Sequence, residues 1–118
     1  METEIEIRKR ILNDELKRIV ESIIREYSPQ KIILFGSLAT NNIHQWSDID
    51  LVVIKDTDKR FLDRIEEILL MTFPKVGMNL VVYTPQEFEK MLEEKRYFLI
   101  EEVLKKGKVL YEEGKQVA

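Results

Sequence analysis

Three short apolar runs set the strongest limit on what this chain can fold into: KIILF (Lys31–Phe35), DIDLVVI (residues 48–54) and MNLVVY (Met78–Tyr83). Each is bounded by turn-forming residues and reads as a strand. Helical patterns fill the intervals. Over residues 3–27, Leu12, Leu16, Ile19, Val20, Ile23 and Tyr27 recur mostly at spacings of three and four, the stripe of a long amphipathic helix. Ser28-Pro29 ends it, because proline disfavours helical backbone at the residue before it. Gly36-Ser37 opens a short helical turn that Asn41-Asn42 breaks. Asp56, Thr57 and Asp58 offer caps to a helix whose stripe is Phe61, Ile65, Ile68 and Leu69.

Thr84-Pro85-Gln86-Glu87 is the clearest local signal. Thr84 suits the N-cap, Pro85 the first helical position, and Glu87 completes a capping box. The helix that follows carries Phe88, Met91 and Leu92. It continues or restarts over residues 96–106 and stops near Gly107. KVLY at residues 108–111 reads as a short edge strand. The order is that of an α/β sandwich with a small sheet, and 118 residues fit one domain over residues 1–118.

Composition narrows the function. Acids and bases are mixed, with a net charge of -3. That balance argues against a dedicated nucleic-acid binder, which carries a basic excess. The chain has no cysteine and one histidine, His44, so thiolate sites and multi-histidine zinc sites are excluded within it. No apolar run has membrane-spanning length and the charged N-terminus lacks a signal-peptide core, so a cytoplasmic location is expected.

The chemistry concentrates between Phe35 and Ile54. Alternate strand residues share a face, so Asp48 and Asp50 point the same way, with Cα atoms about 6.5–7 Å apart. A strand that continues LVVI has no structural need of the second acid. Two such carboxylates can converge on divalent cations, and hard oxygen donors favour Mg²⁺ or Mn²⁺. Magnesium commonly takes further ligands from substrate phosphates, which points to a nucleoside triphosphate. Gly36-Ser37 offers the complementary half: glycine lets backbone approach a ligand, and the turn's free N–H groups and the Ser37 hydroxyl suit phosphate.

Gly36-Ser37, ten residues, then Asp48-Ile49-Asp50 resembles the GS-x10-DxD signature of the DNA polymerase β-like nucleotidyltransferase superfamily. The wording SDIDLVV and the short length resemble its minimal nucleotidyltransferase branch. The likeness covers about residues 31–87. It implies a mixed β-sheet flanked by helices, Mg²⁺ (or Mn²⁺), and transfer of a nucleoside monophosphate to a hydroxyl, with AMP from ATP as the expected group. By the resemblance, Gly36 and Ser37 bind phosphate while Asp48 and Asp50 are catalytic and bind metal. It also implies a HEPN-type partner protein that presents the hydroxyl, the two acting as toxin and antitoxin.

The sequence departs from the family at three places. Asn79 stands where the family carries a third carboxylate. An amide offers a carbonyl ligand but cannot accept a proton. Leu38 and Asn41 stand where the family often has a basic or polar residue and a glycine. The alternative reading is therefore a nucleotidyltransferase-fold antitoxin or binding module that acts by contact alone.

Other residues carry competing readings. His44 either touches phosphate or base, or is solvated. Trp46 either stacks on a base or covers its loop against the core. Ser47 caps or orients the turn before Asp48. Lys55, Lys59 and Arg60, interspersed with aspartates, read as a solvated face. Arg96-Tyr97-Phe98-Leu99-Ile100 is apolar over too much of a helix's circumference for one buried stripe, so part of it suits a partner surface or a homo-oligomer contact.

Overall fold

The three apolar runs lie side by side in one sheet. The computed structural model describes residues 1–115. Helix α1 (Glu4–Tyr27) precedes strand β1 (Lys31–Phe35) and the short helix α2 (Gly36–Thr40). Strand β2 (Ile49–Ile54), helix α3 (Phe61–Thr72), strand β3 (Met78–Tyr83) and helix α4 (Pro85–Glu93) follow. A π-helix, α5 (Phe98–Lys105), leads into strand β4 (Lys108–Glu112). The sheet order is β3-β2-β1-β4, with β1 antiparallel to β2 and β4, and β2 parallel to β3. This is the mixed sheet flanked by helices that the resemblance implies.

Alternation divides β2 between two apolar layers. Ile49, Leu51 and Val53 join Leu12, Ile19, Ile23 and Ile68, the layer under α1 and α3. Val52 and Ile54 join Ile33, Leu99 and Val103, the layer under α4 and α5. Asp50, in step with Val52 and Ile54, is thereby assigned to the second face. Phe35 is its partner across the ladder, and the Phe35 ring packs edge-on against Phe98 at 5.2 Å.

The capping box at Thr84 forms as the sequence predicts. The Thr84 hydroxyl accepts from the Glu87 N–H and the Glu87 carboxylate accepts from the Thr84 N–H. Its surroundings were not foreseen. Arg64 is buried, and its guanidinium donates to Glu87, to the Val82 carbonyl and to the Lys59 carbonyl. One arginine thus ties α3 to the end of β3 and the start of α4.

Several expectations are corrected. Asp56, Thr57 and Asp58 do not cap α3, which starts after Arg60 with no side-chain cap; Thr57 instead accepts from the Lys59 N–H in a local turn. The buried line of α3 is Arg64, Ile68 and Thr72, while Phe61 and Leu69 stay partly exposed. Arg64 takes a place on the buried line because backbone carbonyls and Glu87 satisfy its guanidinium, which an apolar stripe cannot register. Lys55 is not merely solvated: its ammonium donates to the Tyr27 and Ser28 carbonyls and closes the C-terminal end of α1. Trp46 does not cover the core; it is 76% exposed. The second half of the C-terminal helical segment restarts as a π-helix after a break at Lys95, whose φ is +54°. Of the run at 96–100, Leu99 is buried while Tyr97 stands out.

A buried carboxylate clamps α1 to the approach of β3. Glu15 accepts from the Arg18 guanidinium at 2.7 and 2.8 Å and from the Lys75 N–H. Arg18 also donates to the Phe73 carbonyl. The Arg18 hydrogen bonds, opposed by burial and aided by Lys75, hold the Glu15 carboxyl down to about 2 from an ordinary 4.5. A depressed carboxylate contributes stability that is complete above its unfolded value and is lost as pH falls toward its folded one. After discounting for the solvent exposure of Arg18, Glu15→Gln is expected to cost about 2–3 kcal/mol at neutral pH. The deficit relative to wild type should shrink below about pH 4. Denaturant titrations at neutral pH and at about pH 3 check both halves.

Candidate active site

Asp50 sits at one end of the sheet between Phe35 and Asn79, its partners in β1 and β3. Asp48 lies one residue before β2, a boundary within the ordinary uncertainty of strand ends. The parallel pairing of β2 and β3 sets Asn79 opposite Asp50, and its Nδ2 donates to Asp50 Oδ1 at 2.7 Å. The position that the sequence pairs with the acids is therefore in direct contact with one of them.

Two glycines make room for the carboxylates. Gly36 has φ +75°, and a Cβ there would lie 2.1 Å from Asp50 Oδ2. Gly77 was missed by sequence reasoning: a Cβ on it would lie 2.4 Å from Asp48 Oδ1. Its carbonyl accepts from the Ile49 N–H at 3.0 Å, which fixes the chain between the two acids. Its only sequence signal is a glycine just before a strand, which is common to many strands.

Gly77 has no positive φ, so alanine suits its backbone. Gly77→Ala is expected to push Asp48 aside with a stability change within about 0.5 kcal/mol. A misplaced Asp48 should lower any activity that depends on the acid pair by about 10²-fold. Thermal unfolding and an activity assay on the same preparation separate the two.

The segment between α2 and β2 is held from both sides. Ser47 is buried; its hydroxyl accepts from the His44 N–H at 2.9 Å and from the Ser37 hydroxyl at 3.0 Å. Ser47 thus orients the turn before Asp48, as the sequence predicts. His44 is exposed and its Nδ1 accepts from the Trp46 N–H. Arg8, which sequence reasoning also missed, reaches across from α1. Its Nε and Nη2 donate to the Ser47 carbonyl at 3.0 and 2.7 Å, and Nη2 lies 3.6 Å from Asp48 Oδ1. Arg8 is 39 positions from Ser47, so nothing local announces it.

The electrostatics mark Asp50 as a strained charge. Burial pushes its carboxyl up from the ordinary 3.8, the Asn79 hydrogen bond pulls it down, and the neighbouring Asp48 raises it further. The fold tolerates two adjacent acids without pairing either one tightly. The donor set is all oxygen, two carboxylates with one amide beside them. Among the described residues no group of three or more histidines, cysteines and acids gathers for a metal. Such donors fit a hard divalent cation whose shell is completed by an anionic ligand.

A Gly-Ser turn sits against the second of two closely spaced aspartates on a mixed four-stranded sheet, the arrangement that the likeness to nucleotidyltransferases implies. Residues 17–116 match the family described as "Polymerase beta, Nucleotidyltransferase", and the chain belongs to it. It is 31% identical over 104 residues to a protein of Methanocaldococcus jannaschii provisionally named protein adenylyltransferase, covering 85% of this chain and 100% of that one. The fold also matches the crystal structure of a provisionally named nucleotidyltransferase from Sulfolobus solfataricus. There the TM-score is 0.66, at 17% identity, over 100% of this chain and 96% of that one. Among the described residues no helix is long and apolar enough to cross a membrane.

Proposed function

We propose that this chain is a Mg²⁺-dependent (or Mn²⁺-dependent) adenylyltransferase that moves AMP from ATP to a hydroxyl of a partner protein. The observation that carries it is the Asp50 carboxylate lodged in the space that Gly36 leaves by lacking a Cβ, with Asp48 beside it. The name of the Methanocaldococcus relative supports the protein target. In this reading Asp48 and Asp50 hold the cation that accompanies the triphosphate. The cation, when bound, offsets charge developing on the leaving pyrophosphate. The Gly36 backbone and the Ser37 hydroxyl hold phosphate oxygens. To do so the Ser37 hydroxyl redirects the proton that it now gives to Ser47 Oγ, which keeps the His44 N–H as its donor.

The acceptor oxygen attacks the α-phosphorus, a new P–O bond forms, and the bond to pyrophosphate breaks. The acceptor's proton leaves to water, because the Asn79 amide has no capacity to take it. The acceptor is a HEPN-type partner, the pair working in the cytoplasm as toxin and antitoxin. Co-expression with the partner followed by intact-mass measurement tests this: an added AMP supports it, and an unmodified partner contradicts it.

The hydrogen bond that fixes Asn79 on Asp50 favours one second reading, neutralisation of the partner by contact without transfer. The two separate on Asp48→Ala. Loss of neutralisation belongs to transfer, and retained neutralisation belongs to contact.

A further inference from the structure

The acidic pair is fenced on both outer sides by nitrogen donors. Asn79 Nδ2 stands 2.7 Å from Asp50 Oδ1, and Arg8 Nη2 stands 3.6 Å from Asp48 Oδ1. Neither nitrogen can ligate a cation: the amide has no free lone pair and the guanidinium is itself positive. Among the described residues Asp50 Oδ2 has no protein donor, and it faces Gly36. Sites for two divalent cations set them about 3.5–4 Å apart and bridge them with shared carboxylates. Here the nearest protein charge is two carboxylates, enough to offset one divalent cation, and Arg8 already draws on one of them.

We propose that the site holds a single divalent cation and that Asn79 is the residue excluding a second. This rests on the reading above, in which the site binds a divalent cation with its nucleotide. The amide N–H occupies one face of Asp50 Oδ1, so the approach to Asp50 from the Asn79 side is taken by a donor and not offered to a cation. Turning the amide to offer its carbonyl would strip Asp50 Oδ1 of its donor and would add none of the negative charge that a second cation calls for. A carboxylate at this position supplies that charge and cannot block the lone pair with a hydrogen.

The experiment is a Mn²⁺ titration of the full chain followed by electron paramagnetic resonance of free Mn²⁺, with a non-hydrolysable ATP analogue present at saturation and as a protein-free control. Wild type is expected to take up about one Mn²⁺ per chain above the control, and Asn79→Asp about two. Two equivalents in wild type would overturn the single-cation proposal while leaving the metal reading intact. No uptake by wild type, matching Asp48→Ala, would remove the metal reading and the proposal with it. An Asn79→Asp variant that is folded by circular dichroism yet stays at one equivalent would show that Asn79 does not set the count. Should that variant fail to fold, the wild-type stoichiometry still decides.

Discussion

Asp50→Ala is expected to lower nucleotidyl transfer by about 10³-fold or more while leaving the protein at least as stable as wild type. The two halves come from the same geometry. Asp50 is half-buried on an apolar sheet face, next to Asp48, and among the described residues one amide hydrogen bond is its only direct support. A carboxyl whose folded value is raised contributes most when protonated, and that contribution is lost as pH rises through its folded value. At neutral pH, without a cation, the charge therefore works against folding. Removing it relieves repulsion from Asp48 and costs little packing, since Asp50 belongs to neither buried apolar cluster. Chemical denaturation in metal-free buffer, beside a transfer assay, checks both. A variant that is strongly destabilised would mean that Asp50 is structural.

Gly36→Ala is expected to fail in both respects. Its φ of +75° strains any residue with a Cβ, and that Cβ would lie 2.1 Å from Asp50 Oδ2 and 2.9 Å from Asp50 Cγ. Such contacts force the carboxylate out of its seat or the turn out of its shape. The strain is expected to cost about 1–3 kcal/mol of stability. Transfer should drop by about 10²-fold or more, because the turn and Asp50 can no longer hold their mutual positions. The double variant Gly36→Ala, Asp50→Ala gives a sharper measurement. It should recover the part of the stability loss that comes from the clash and none of the part that comes from backbone strain.

Local spacing in the sequence is enough to say which residues of the candidate site meet. Gly36-Ser37 lies at the end of one strand and Asp48-Ile49-Asp50 at the start of the next, so antiparallel pairing of neighbours brings them together. Asn79 depended on which strand joins the other side of β2; the parallel register supplies that answer and sets it opposite Asp50. Arg8 and Gly77 were beyond reach because their neighbours are chosen by how α1 and the approach to β3 dock, which no periodicity encodes. The same limit explains Arg64. A charged residue reads as surface until Glu87 and the Val82 carbonyl are seen to satisfy it. Strands and the Thr84 capping box were legible because their signals are local, apolar runs and short-range hydrogen bonds. The π-helix after Lys95 was not, since FLIEEVLK fits an α-helical pattern equally well.

The account stands or falls on what lies between the acids and the glycine–serine turn. A crystal grown with Mg²⁺ and a non-hydrolysable ATP analogue reads this directly. The account predicts a cation contacting both Asp48 and Asp50, with the analogue's phosphates against the Gly36 backbone and the Ser37 hydroxyl. An analogue bound elsewhere, or a pair of carboxylates that stay bare at saturating nucleotide, would contradict it.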